Sequence, residues 1–174
     1  PLWNPADGGR YIGTGCFIIT RDPDTGWINC GTYRVMVHDE KRVALYISPG
    51  KHGRIHRDKY MAKGEPMPVC IVVGTDPLSF LTSSTEAPEG MCELDMMGAY
   101  RGHAIECVNG KHTGLPFPAT SEVVIEGFIH PGNTAPEGPF GEWLGYQGGR
   151  MEAEPWVDVS AIYHRNDPIL LGAA

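Results

Sequence analysis

Two carboxylates, Glu137 and Glu142, stand five residues apart in the run PEGPFGEWLGYQGG, on either side of a Gly-Pro-Phe-Gly turn. Acids held close by a rigid turn push their pKa values apart, so one stays ionised while the other keeps a proton to donate. Acid/base chemistry at neutral pH needs that arrangement. Spacing alone does not separate it from an ordinary surface loop of Glu, Gly and Pro.

Other candidates are scattered. Asn29 and Arg34 lie five apart in NCGTYR. On one extended strand their side chains point to opposite faces unless a bulge intervenes, and Gly31 is a plausible place for it; the plain alternative is a strand with an exposed arginine. His52 follows SPGK at the expected start of a helix, where free N–H groups favour an anion such as phosphate. A polar helix start accounts for it equally well. Glu93 opens ELDMMGAYRG, on a helix whose Leu94, Met97 and Ala99 read as buried; a lone helical Glu is usually just solvated. Taken together, Asn29, His52 and Glu93 make a hard N/O donor set, suited to Mn²⁺ or Mg²⁺ bridging to a phosphate. The chain has no H-E-x-x-H, Walker loop, G-x-S-x-G or G-x-G-x-x-G to compete with it.

The elements that must position these residues are mostly strands. GRYIGTGCFIITRDP, WINCGTYRVMVHD and VALYIS read as a meander, with PVCIVVG, AIECV, SEVVIEGFIH and WVDVSAIYHR completing a β-rich chain. HGRIHRDKYMAKG reads as a helix, with Ile55, Tyr60 and Met61 at approximately helical spacing and Gly64 as its stop. A short helix follows Asp76-Pro77, and another runs through CELDMMGAYRG. Many strands with few inserted helices predict a mainly β, α+β fold, a closed or split barrel and not an alternating parallel sheet.

At 174 residues with 41% hydrophobic and 20% charged side chains, the chain fits one domain with a core. A net charge of -7 without any Lys/Arg run argues against a nucleic-acid or membrane-surface binder, so an anionic ligand needs a metal or a few placed cations. Five cysteines without a C-x-x-C pair, most of them in apolar runs, read as reduced, buried thiols of a cytoplasmic protein. The opening Pro1 and the close at DPILLGAA suggest a piece of a longer polypeptide.

The order of motifs resembles one family closely, the UbiD-type decarboxylases that use prenylated FMN. The resemblance runs through WINCGTYR at 27–34, KHG at 51–53, ELDMMGAYRG at 93–102, PATSEVVIEG at 118–127 and PEGPFGEWLGY at 136–146. It implies a split β-barrel of the flavin-reductase-like type spanning 1–174, the family's central domain, without its N-terminal region and its C-terminal oligomerisation domain. It also implies prenylated FMN held by Asn29, Cys30, Gly31, Thr32, Tyr33, Arg34, Lys51, His52 and Glu93. Asn29, His52 and Glu93 would be ligands of Mn²⁺ (or Mg²⁺), and K⁺ is a further candidate ion. Arg34, Glu137 and Glu142 would form the catalytic network, and Glu122 and Glu126, which fit no role in that pattern, would be structural.

By the same resemblance the whole protein is a homo-oligomeric, reversible, non-oxidative decarboxylase of aromatic or α,β-unsaturated acids, supplied with cofactor by a flavin prenyltransferase. A hydroxybenzoate or catechol acid such as protocatechuate is the favoured substrate, partly because Lys51 could pair with a phenolate. Two rivals come from other classes: a non-catalytic flavin- or nucleotide-binding barrel subunit, and a structural metal-binding β domain. Neither has use for a proton donor beside an arginine.

Overall fold

A computed structural model describes residues 4–142 and 144–171. Thirteen strands and three helices follow in the order β1 (Arg10–Gly13), β2 (Cys16–Arg21), β3 (Ile28–Gly31), β4 (Arg34–Val37), β5 (Arg42–Tyr46), α1 (His52–Lys63), β6 (Met67–Val73), α2 (Pro77–Ser84), α3 (Glu93–Arg101), β7 (Cys107–Asn109), β8 (Pro116–Pro118), β9 (Val123–Ile129), β10 (Thr134–Glu137), β11 (Phe140–Gly141), β12 (Gln147–Gly148) and β13 (Glu152–His164).

The main sheet is antiparallel, in the order β1-β4-β5-β13-β9-β6-β2-β3, with β10 also paired to β13. Its connectivity forces its shape. β1 runs into β2 through Thr14 and Gly15, and β3 into β4 through Thr32 and Tyr33, yet these partners stand near opposite ends of the strand order. Two such short links can span the sheet only if it curls until its ends approach, which gives a half-closed, split barrel.

Period-2 alternation sorts the side chains onto two faces. Ile18 of β2 and Val69, Ile71 and Val73 of β6 join the inner core with Leu45, Ile47 and Val157, closed by Tyr60 of α1. Phe17, Ile19, Cys70 and Val72 from the same strands pack on the other face beneath Leu94, Met97, Leu115 and Phe117. Every residue of β6 is buried, because both faces of this central strand are covered.

Several sequence expectations hold. α1 ends at Gly64, which adopts a left-handed φ of 70°, and the carbonyls of Met61 and Tyr60 are satisfied around it. Asp76 caps α2 through the Ser79 N–H, with Pro77 in the first turn. Glu126 accepts hydrogen bonds from the backbone of His112 and Thr113 and from the Thr113 and Tyr163 hydroxyls, a buried structural acid. Glu122 ties down Arg165 and the Ile169 N–H.

Others need correction. Gly31 makes no bulge: β3 ends there, and Asn29 and Arg34 belong to two different strands. On α1, Ile55 is exposed while His56 and Arg57 are buried, so the buried face is partly polar. Ala99 is exposed. The strand expected at AIECV is reduced to β7, starting at Cys107. All five cysteines are free, but Cys107 is exposed and Cys92 only partly buried. Among the described residues no helix is long and apolar enough to cross a membrane.

Candidate active site

Two adjoining sites flank the β3–β4 link. The first is a cleft lined by Asn29, Cys30, Gly31, Thr32, Tyr33, Gly50, Lys51, His52, residues 83–87 and Glu93. Asn29 is buried on β3, His52 is the first residue of α1 and Glu93 the first of α3. Three elements therefore converge. Glu93 is fixed by its Oε2, which accepts the Cys30 N–H at 2.7 Å, and burial pushes its carboxyl above the usual range. A cation beside it would reverse that penalty.

Tyr33 braces the cleft. Its hydroxyl accepts from the Gly53 N–H at 3.1 Å and from Asn29 Nδ2 at 3.4 Å. The ring fits because neighbours lack Cβ: one on Gly31 would lie 2.3 Å from the Tyr33 hydroxyl, and one on Gly53 2.7 Å from the ring. With Nδ2 used this way, the Asn29 carbonyl oxygen is the atom left for a cation. Trp27 supports the same cleft from behind. Its ring meets His52 edge-on at 4.8 Å and His56 at 5.0 Å, while Nε1 donates to the Met91 carbonyl, two residues before Glu93.

The donor set has one Asn, one His and one Glu. Among the described residues no three His, Cys, Asp or Glu side chains converge as a metal centre. The available atoms, one amide oxygen, one imidazole and one carboxylate oxygen, are of the types that a hard divalent ion takes. Lys51 lies at the cleft mouth, 3.6 Å from Glu86, and both are exposed. It lines the same cleft as Asn29, His52 and Glu93.

The second site, a cavity of about 410 Å³, is lined by Arg34, Tyr46, Ser48, Glu137, Glu142, Tyr146, residues 148–150, Glu152 and Glu154. Glu137, at the end of β10 and 1% exposed, takes Arg34 in a two-pronged pair, Nε to Oε1 and Nη2 to Oε2, both at 2.7 Å. The Tyr11 hydroxyl donates to the same Oε1 at 2.9 Å. Burial, then the hydrogen bond to Glu137, raises the Tyr11 pKa far above the tyrosine range, so it stays a donor. The Arg34 guanidinium stacks over Tyr46 at 4.4 Å.

Glu142 is partly exposed, and its side chain makes no hydrogen bond or ion pair among the described residues; its backbone N–H closes the turn on the Tyr146 carbonyl. The two acids therefore differ through their partners: Glu137 is saturated by Arg34 and Tyr11, and Glu142 is open to the cavity. Tyr11, Trp27, Glu152 and Glu154 escaped sequence reasoning. Tyr11 is 126 positions from the acid it serves, a distance no local pattern reports.

Residues 1–174 match the family model described as UbiD, 3-octaprenyl-4-hydroxybenzoate carboxy-lyase Rift-related domain. The pyrrole-2-carboxylic acid decarboxylase of Pseudomonas aeruginosa is 35% identical over 98% of this chain, which spans 34% of that protein. An evolved dimeric form of the UbiD-class enzyme HmfF from Pelotomaculum thermopropionicum, in complex with prFMN, superposes with a TM-score of 0.92. It is 34% identical over 98% of this chain and 39% of its own. Apo 3,4-dihydroxybenzoic acid decarboxylase of Klebsiella pneumoniae gives 0.85 at 28% identity over 98% of this chain and 37% of its own. The chain thus spans about a third of the length of these relatives. With the family model matched from end to end and these likenesses over nearly the whole chain, the chain belongs to the UbiD family.

Proposed function

We propose that this chain is the cofactor-binding core of a prenylated-FMN-dependent, non-oxidative decarboxylase of aromatic or α,β-unsaturated carboxylic acids. The observation that carries the reading is the Arg34–Glu137 pair sharing one cavity with the unpaired Glu142, beside the Asn29–His52–Glu93 cleft. Asn29, His52 and Glu93 would hold a divalent ion, Mn²⁺ first, whose charge would favour the cofactor phosphate, with Lys51 at the cleft mouth. When bound, the prenylated flavin supplies the electron sink that no amino-acid side chain offers to a carbon losing CO₂.

The protein supplies orientation and the proton. Loss of CO₂ from a carboxylate leaves a carbon that must gain one proton, so each turnover consumes one. Arg34 spends two of its five donors on Glu137 and has three left for a substrate carboxylate. Glu137 and Tyr11 fix the guanidinium, and Glu142 delivers the proton to the carbon that CO₂ leaves. Carboxylation is the same sequence reversed.

For substrate, an aromatic ring acid is favoured by the named activities of the relatives, on pyrrole-2-carboxylic acid and on 3,4-dihydroxybenzoic acid. A hydroxybenzoate or catechol acid such as protocatechuate is the first to test. We further propose that the whole protein is a homo-oligomer and takes its cofactor from a flavin prenyltransferase.

The test uses the full-length protein coproduced with such a prenyltransferase. Its released cofactor should have the mass of prenylated FMN, and Glu142→Gln should keep cofactor and substrate binding while losing ~10²- to 10⁴-fold in turnover. A Glu142→Gln enzyme that labels product from deuterated solvent at the parental rate would assign the donor elsewhere.

A further inference from the structure

Glu154 is an acid that the reading above leaves without a task. It lies on β13 opposite Ala135 of β10, while Glu152 lies opposite Glu137. Directly opposed residues share a face, and so do residues two apart on one strand, so Glu137, Glu152 and Glu154 point the same way. Glu154 is only 8% exposed, and its carboxylate has no hydrogen bond or ion pair among the described residues. Buried carboxylates ordinarily have partners; this one faces space instead.

That space is double. Glu154 lines the cavity of Arg34, Glu137 and Glu142 and also a second one, about 240 Å³, lined by Arg54, Arg57, His130, Asn133 and Thr134 among others. It is the one ionisable side chain common to both among the described residues. The charged groups around it are Arg54 and Arg57 from α1, Glu137 from β10, Glu152 from its own strand and His130 after β9. Arg54 and Arg57 both engage Asp58. Burial raises the Glu154 carboxyl above its usual range, Arg54 and Arg57 pull it down, and Glu137 and Glu152 push it up. A carboxyl raised in this way keeps a proton to higher pH than an ordinary surface glutamate.

A decarboxylase that spends a proton on its product must recover one from solvent every turnover. Cofactor and substrate filling the Arg34 cavity would displace its water, so a second route to solvent would then serve Glu142. We propose that Glu154 is a proton-resupply residue: it takes a proton from solvent in the Arg54–Arg57 cavity and passes it, through the shared wall, to the Glu142 side of the active site. The balance is one proton in at Glu154 for each proton Glu142 gives to carbon, with no change of oxidation state. Glu154 acts through Glu142 and touches neither substrate nor cofactor. The proposal rests on the decarboxylase reading.

The experiment compares parent and Glu154→Gln in the full-length, cofactor-loaded protein with an aromatic acid that the parent converts. The first turnover does not depend on resupply, so its rate should match the parent. The steady-state rate should fall ~10-fold or more, with a larger solvent isotope effect, and small carboxylic acids such as acetic acid should restore it in proportion to their concentration. A second readout is independent of turnover: infrared titration of the cofactor-free protein should show carboxyl intensity that persists above the ordinary glutamate range and falls in Glu154→Gln to what Glu93 alone leaves. Equal losses in first and later turnovers would make Glu154 structural and overturn the proposal. So would an unchanged steady state, or a deficit that no small acid repairs. A parent that converts no aromatic acid overturns the decarboxylase reading itself, and this inference with it.

Discussion

Removing the charge from Glu137 tests how the two-pronged contact to Arg34 is valued by the fold. The contacts are 2.7 Å, which puts the charge centres roughly 4 Å apart, and at an effective dielectric of ~20 the gross attraction is ~4 kcal/mol. Part of that is cancelled by the cost of desolvating Glu137 at 1% exposure and Arg34 at 15%. A coupling of ~2 to 3 kcal/mol remains, well above the ~0.2 to 1 kcal/mol of exposed pairs. Glu137→Gln alone should cost ~3 kcal/mol or more, since it strands the guanidinium in a half-buried place. Arg34→Met alone, Glu137→Gln alone and the double variant, unfolded in urea, close the cycle. The Tyr11 hydroxyl supplies a second check. Burial is the largest cause of its raised pKa, with the Glu137 hydrogen bond and charge next, so ultraviolet titration of Glu137→Gln should show it falling toward the ordinary range. A coupling below ~0.5 kcal/mol, with Tyr11 unmoved, would refute the account of Glu137 as the fixed, ionised member of the pair.

Trp27→Ala should weaken Mn²⁺ binding to the full-length protein by ~10-fold or more, as loss of a supporting residue around a metal ligand does, because it removes the contact to His52 and the bond to Met91 together. Trp27→Phe, which keeps a ring and loses only the bond, should fall between; unchanged titration calorimetry for both would dismiss the support. For His56, burial is the main cause of a pKa lowered to about 4, so the unfolded chain binds more protons than the folded one between there and ~6.5. Stability should therefore drop by on the order of 3 kcal/mol as pH falls through that window, read as the urea midpoint, and His56→Gln should flatten the slope.

Local chemistry made much of the fold legible. Gly64 and the Asp76-Pro77 pair marked a helix end and a helix start, and β-branched runs marked β2, β6 and β9, because caps, φ and period-2 burial are decided within a few residues. The break between β3 and β4 was hidden, since NCGTYRVMV reads as one continuous strand. Only the partners divide it: Cys30 pairs with Ile19, whereas Arg34 pairs with Tyr46. Tertiary context also reversed the reading of α1, where His56 occupies the core position assigned to Ile55. Its Nδ1 meets the Thr20 hydroxyl at 2.9 Å, and the Trp27 ring covers it. Glu154 sat in a polar stretch, MEAEPW, whose burial depends on β10 folding against it.

The β3–β4 division also explains why two chemically different sites lie side by side. Had the strand been continuous, Asn29 and Arg34 would have faced opposite sides of one sheet, five residues apart. Instead the chain leaves one end of the strand order at Gly31 and enters the other at Arg34, so the curl of the barrel brings both ends to the same corner. Tyr33 stands in that crossing and is gripped from both sides of it: its hydroxyl by Asn29 and Gly53, its backbone carbonyl by the Cys16 thiol at 3.2 Å. A shift of Tyr33 would move the Asn29 donor and the Arg34 guanidinium together. The link that closes the barrel thereby sets the distance between the Asn29–His52–Glu93 cleft and the Arg34–Glu137 cavity, and a ligand that reached from one to the other would be positioned by the topology itself.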